Sequence, residues 1–285
     1  MLFDPDVLLC GSPWTLCLCG DSVIHAVLGF AALTLRGLIG GRRATAAAIL
    51  VLTPPLFALL SAMFGKHVDP VKLFHGFVFY FSLWFVIYLL SLIYGISLSI
   101  GEIEDGTAGY LYLSAVPKWM IVLIQMAVTT AALSAGLFVN LLLTGLAASY
   151  GRELIPHLMR DVLSCTLVGG VGIAVSLGYY VTCGLTFRTP TGALAAALFP
   201  TFFWEILVTS WPMKFAEYTL TNNLRGMLLP MVFDNRRGPL YRYVLNFHLP
   251  DYGEASMFLS ILLGLFMMTA MVAAMNRSIE GKEAR

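Results

Sequence analysis

Charge is what this 285-residue chain has least of: 12% of its residues are Asp, Glu, Lys or Arg, against roughly 25% in a soluble globular domain. Its 17 Lys and Arg are offset by 16 Asp and Glu, leaving a formal charge of +1. No basic excess is available to neutralise phosphates, so nucleic acid is excluded as a partner. Disorder is excluded by the 59% hydrophobic content, because such a chain buries apolar surface readily. Cysteine is sparse and unpatterned. Cys10, Cys17 and Cys19 lie near the amino end, Cys165 and Cys183 fall inside apolar runs, and no CxxC spacing or closely flanking His suggests a zinc site. These thiols read as buried or lipid-facing groups. Arg36 is the first basic residue, and Asp4 and Asp6 precede the first apolar run, so a cleavable leader is not expected.

Catalytic signatures are missing as well. Gly65-Lys66 is followed by His67 rather than Ser or Thr, so there is no phosphate loop, and neither H-E-x-x-H nor G-x-S-x-G occurs. Any ATP-dependent work must draw on a nucleotide site in another chain. No metal ligand set and no cofactor site is expected here. Met267, Met271 and Met275, spaced by four on one helix, read as a packing stripe.

What the chain does have is long apolar runs, with a mean hydropathy of +0.83. A bilayer-spanning helix needs about 20 mostly apolar residues, and six such windows are legible: about 44–64, 77–100, 119–149, 162–187, 192–211 and 256–275. Residues 21–43, broken by His25, Arg36 and Gly40-Gly41, suit an interfacial elbow helix. Pro54-Pro55 inside the first window predicts a kink. Gly169, Gly170, Gly172, Gly178 and Gly184 in the fourth predict close helix contact. Residues 65–76 and 151–161 read as polar loops, and 188–191 as a short turn. Residues 212–255 hold no uninterrupted apolar window; they read as a partly helical external region whose short apolar pieces dip into the membrane surface. The expected fold is therefore an all-α, six-span membrane protein, a single domain over 1–285.

Residues 101–118, GEIEDGTAGYLYLSAVPK, carry the most information. Three carboxylates fall within four positions, Asp105 and Thr107 suit a helix start, and Pro117 separates the segment from the apolar run beginning at Trp119. The acidic stretch with Gly106-Thr107, followed by an apolar short helix ending in Pro117-Lys118, resembles the signature of the permease subunits of type-2 ATP-binding-cassette exporters. The elbow, the six spans and the large external region before the last span are similar too, so the resemblance extends over roughly residues 30–277. It departs from the family pattern at Gly109, Tyr110, Tyr112 and Gln125. The resemblance implies that residues 102–118 form a coupling helix, with Glu102, Glu104, Asp105, Gly106, Thr107, Pro117 and Lys118 at the contact with a separate ATPase subunit. That partner would hold the ATP and Mg. It also implies a dimer of permease copies and a cavity walled by the second and fifth spans.

Tyr80, Trp84 and Tyr88 recur every four residues on the second span and place three rings on one helical face. With Phe202, Phe203 and Glu205 of the fifth span they are the cavity-lining candidates, an aromatic wall suited to amphipathic or apolar cargo. Glu205 is the one carboxylate deep in an apolar run, and such a group demands a partner; Arg225 and Lys214 are the nearest cations in sequence. Arg36, Arg42 and Arg43 before the first span outweigh Lys66 and Lys72 after it, which puts both termini in the cytoplasm of an inner-membrane protein. The rival reading is an integral-membrane enzyme or assembly factor acting through residues 212–255.

Overall fold

The computed structural model describes residues 20–65, 69–104, 117–187, 189–208, 217–232 and 249–283. Those residues are helical almost throughout, with no strand among them. In chain order the helices are α1 (Gly20–Ile39), α2 (Gly41–Phe64), α3 (Pro70–Phe77), α4 (Ile87–Glu104), α5 (Lys118–Ala148), α6 (Leu158–Thr186), α7 (Pro190–Pro200), α8 (Leu220–Val232) and α9 (Tyr252–Glu283). Two π-helical segments interrupt the series: Val78–Val86 joins α3 to α4, and Thr201–Val208 continues α7.

Five of these helices are long and apolar enough to cross a membrane: Arg43–Phe64, Pro70–Leu98, Trp119–Ala148, Leu158–Thr186 and Tyr252–Asn276. The architecture is that of a multi-pass membrane protein. The window expected as a fifth span is occupied by α7 and its π-helical continuation, which together run from residue 190 to residue 208.

Several boundaries differ from the sequence reading. The 65–76 loop is half helix, because Asp69 accepts a hydrogen bond from the Val71 amide (3.0 Å) and Pro70 occupies the first helical position, so α3 starts there. The 151–161 loop is likewise shortened, since α6 begins at Leu158. Its approach turns through Gly151 and His157, both with positive φ. His75 and Asp161, one from each supposed loop, are buried against each other, with Nε2 and Oδ2 3.5 Å apart. The elbow ends at Ile39 with Gly40 as the break, so Arg42 and Arg43 belong to the start of α2. The last helix continues over the charged tail to Glu283.

Helix α2 runs through Pro54 and Pro55 without interruption. Pro55 has no N–H to give to the Val51 carbonyl one turn earlier. Asn140 on α5 fills that position: its Nδ2 donates to the Val51 carbonyl (2.5 Å) while its Oδ1 accepts from Ser82 Oγ (3.3 Å). One buried amide thus joins α2, α5 and the π-helical segment Val78–Val86.

α6 is the central helix. Its apolar window is 56% buried, against 17% for the peripheral α9. Close approach depends on glycine at several places; a Cβ on Gly95 of α4 would come within 2.6 Å of Tyr180 Cβ, and one on Gly172 within 2.6 Å of Leu224 Cδ1. The outer surface carries Ile49, Leu52, Leu56, Leu167, Met257, Ile261 and Met268. This is an apolar exterior suited to hydrocarbon rather than water.

Candidate functional site

The polar interior is concentrated where the two π-helical segments meet α8. A π-turn replaces the i→i+4 ladder by i→i+5 bonds and is frequent at functional sites. Glu205, in the second π-helical segment, is buried. Its Oε1 accepts from the Leu220 amide (2.7 Å), and its Oε2 accepts from the Thr221 amide (3.1 Å) and the Thr221 hydroxyl (2.9 Å). The first amides of a helix have no partner within it, and its N-terminus carries partial positive charge. Glu205 therefore serves as a tertiary cap for α8. Thr219 supplies the local cap, with Oγ1 accepting from the Asn222 amide (3.3 Å), and Asn223 Nδ2 donates back to the carbonyls of Glu217 and Thr219 (2.7 and 2.8 Å).

One turn on, the buried Arg225 donates through Nε and Nη2 to the Phe79 carbonyl (3.2 and 2.9 Å) and through Nη1 to Asn222 Oδ1 (3.0 Å). Its guanidinium also stands over the Tyr80 ring, 5.4 Å from the centroid. Burial lowers the Arg225 pKa to about 10.

The aromatic candidates of the second span converge on this cluster by different contacts. Trp84 Nε1 donates to the Glu205 carbonyl (3.2 Å), and Tyr88 shares a hydrogen bond with Thr221 Oγ1 (3.2 Å). Tyr80, at 41% relative exposure, carries Arg225 at the edge, whereas Tyr88 is 6% exposed. Phe203 faces outward and stacks on Phe199, centroids 5.6 Å apart. The backbone of Phe202 belongs to the same π-helical segment.

Beside Glu205 lies a cavity of about 210 Å³. Its walls come from α4 (Tyr88), α6 (Ser176, Tyr179, Tyr180), the second π-helical segment (Thr201, Trp204), the approach to α8 (Tyr218) and α9 (Phe258, Leu262, Phe266). Ser176 Oγ is buried with no hydrogen-bond partner among the described residues.

Only the ends of the acidic segment are among the described residues. Glu102 and Glu104 lie in the last turn of α4, and Pro117 precedes α5, which Lys118 opens. Asp105, Gly106 and Thr107, with the rest of the segment to residue 116, lie outside the described residues, as do Cys10, Cys17, Cys19 and Lys214. Cys165 and Cys183 are buried free thiols. Met267 packs on the core and Met275 is exposed. Among the described residues, no group of three or more His, Cys, Asp or Glu could hold a metal ion.

Sequence reasoning singled out Glu205 and Arg225 but missed Thr219, Thr221, Asn222 and Asn223. The run Thr219-Leu-Thr-Asn-Asn was available as a helix-start signal. Asn140, alone in an apolar run, had no local signal for its partner. No protein-family model matches the chain, and no curated protein sequence matches it.

Proposed function

We propose that the chain is the membrane-spanning permease subunit of an ATP-driven exporter, working with a separate ATPase subunit that holds ATP and Mg. The observation that carries this reading is α8. It is 13 residues long, too short to cross a bilayer, yet its first turns are buried and docked among long apolar helices by Glu205 and Arg225. A polar helix held inside a membrane body beside an aromatic cavity suits a path that must shelter cargo from lipid. In sequence it lies between the expected fifth span and the last helix, where the resemblance puts the external region. In this reading α7 with its π-helical continuation is the fifth of six spans, both termini are cytoplasmic, and two copies form the path. Residues 102–118 couple it to the ATPase.

The enzyme reading needs reactive groups in residues 212–255. In the described part, Asn222, Asn223 and Arg225 are each engaged in hydrogen bonds that hold the fold.

The test is purification of the tagged chain from its native membrane. An ATPase with a phosphate loop should copurify, and Glu104→Lys with Asp105→Lys should weaken that assembly or uncouple hydrolysis. Recovery of the chain without any ATPase would falsify the permease reading.

A further inference from the structure

The cavity beside Glu205 is lined by elements of a single chain, so what it binds can be tested without a second copy or an ATPase. Three features define what fits it. Glu205 contributes a buried carboxylate whose accepted bonds come from neutral donors, the amides of Leu220 and Thr221 and the Thr221 hydroxyl. The Tyr88 hydroxyl, on the cavity wall, is a further neutral group on the same carboxylate. The remaining wall is largely aromatic. Tyr179, Tyr180, Trp204, Tyr218 and Phe266 all line it, and the negative face of each ring attracts cations. Ser176 adds a buried hydroxyl with no partner among the described residues, an acceptor for a ligand N–H.

An anion is rejected by the carboxylate. A purely apolar ligand leaves Ser176 unsatisfied and makes no use of Glu205. Size narrows the class further: about 210 Å³ exceeds the roughly 150 Å³ of an apolar cavity that admits benzene. There is room for one ring and a small head, not for a polycyclic body. Trp204 and Tyr218 are 40% and 58% exposed, so the site has an open rim through which a ligand can enter.

We propose that this cavity binds a single-ring organic cation, a protonated aralkylamine, with its ammonium head at Glu205 and Ser176 and its ring among the tyrosines and Trp204.

The probe is radiolabelled benzylamine, protonated at neutral pH, bound to the full chain in nanodiscs. Saturable binding is expected, displaced by the unlabelled cation but not by phenylmethanesulfonate, and at least about tenfold less well by benzyl alcohol. Tyr218→Leu removes a ring without touching the Glu205 bonds and should weaken binding about threefold to tenfold. Glu205→Gln should weaken it by tenfold or more. If that variant does not fold, Ser176→Leu, which fills the cavity, takes its place and should abolish binding. Absence of saturable binding, equal displacement by benzyl alcohol, or unchanged affinity in the variants that fold would overturn the proposal. None of these results bears on whether an ATPase copurifies, so the site and the permease reading fail separately.

Discussion

Oε2 of Glu205 receives two hydrogen bonds from one residue, the amide of Thr221 at 3.1 Å and its hydroxyl at 2.9 Å. A carboxylate in one helix thereby closes the end of another that begins fifteen positions later. The pairing solves two problems together. The acid gains donors in an apolar interior, and the helix gains a cap at its positive end. Glu205→Ala should leave the Leu220 and Thr221 amides unpaired and destabilise the fold by about 1–3 kcal/mol, with Glu205→Gln intermediate. Thermal unfolding in detergent, with proteolysis around α8, measures this. A variant as stable and as protease-resistant as the parent would show that the cap contributes nothing.

The Asn140 bond to the Val51 carbonyl exists because Pro55 cannot make it. Asn140→Ala should cost about 1–3 kcal/mol in the native chain. In a Pro55→Ala background the new backbone N–H can pair with Val51, and the same change should cost less. The double-mutant cycle should return a coupling of about 0.5–3 kcal/mol. Strict additivity would mean that Asn140 acts only through Ser82 or through packing.

Glycine positions offer a contrast within one chain. Gly95→Ala drives a methyl into Tyr180 Cβ on the central helix, and should destabilise by about 1–3 kcal/mol through overpacking. Gly264→Ala on α9 meets nothing within 4 Å and should be neutral, or stabilising by up to about 1 kcal/mol from helix propensity. Melting temperatures of the two variants decide it, and equal shifts would contradict the packing described for α4 against α6.

If the chain is a permease, aromatic wall residues should affect flux more than assembly. Trp84→Ala and Phe203→Ala are expected to lower export while ATPase copurification and basal hydrolysis remain at parental levels. Transport in inverted vesicles is the measurement. Normal export by both variants, or failure of both to assemble, would remove Trp84 and Phe203 from the path.

Composition and periodicity alone established that this is an all-helical chain with membrane-length segments, because hydrocarbon demands long uncharged runs and those are visible without coordinates. They also marked Glu205 as a group needing partners, since a lone carboxylate in an apolar run announces its own cost. Local capping chemistry decided what hydropathy misread: Asp69 and Pro70 begin a helix inside a stretch that looked like loop, and Gly40 ends α1 ahead of the arginines assigned to it. What only the tertiary structure decided is which groups answer one another. Glu205 stood equally open to Lys214, Arg225 or water, and its bonds are instead to the start of α8, while Arg225 holds the Phe79 carbonyl. The four-residue spacing of Tyr80, Trp84 and Tyr88 promised one uniform face, yet a π-helical segment runs through it and each side chain meets a different partner. Such pairings join residues 15 to 146 positions apart. They follow from which helices lie side by side, and helix adjacency is set by packing over the whole bundle rather than by any local pattern.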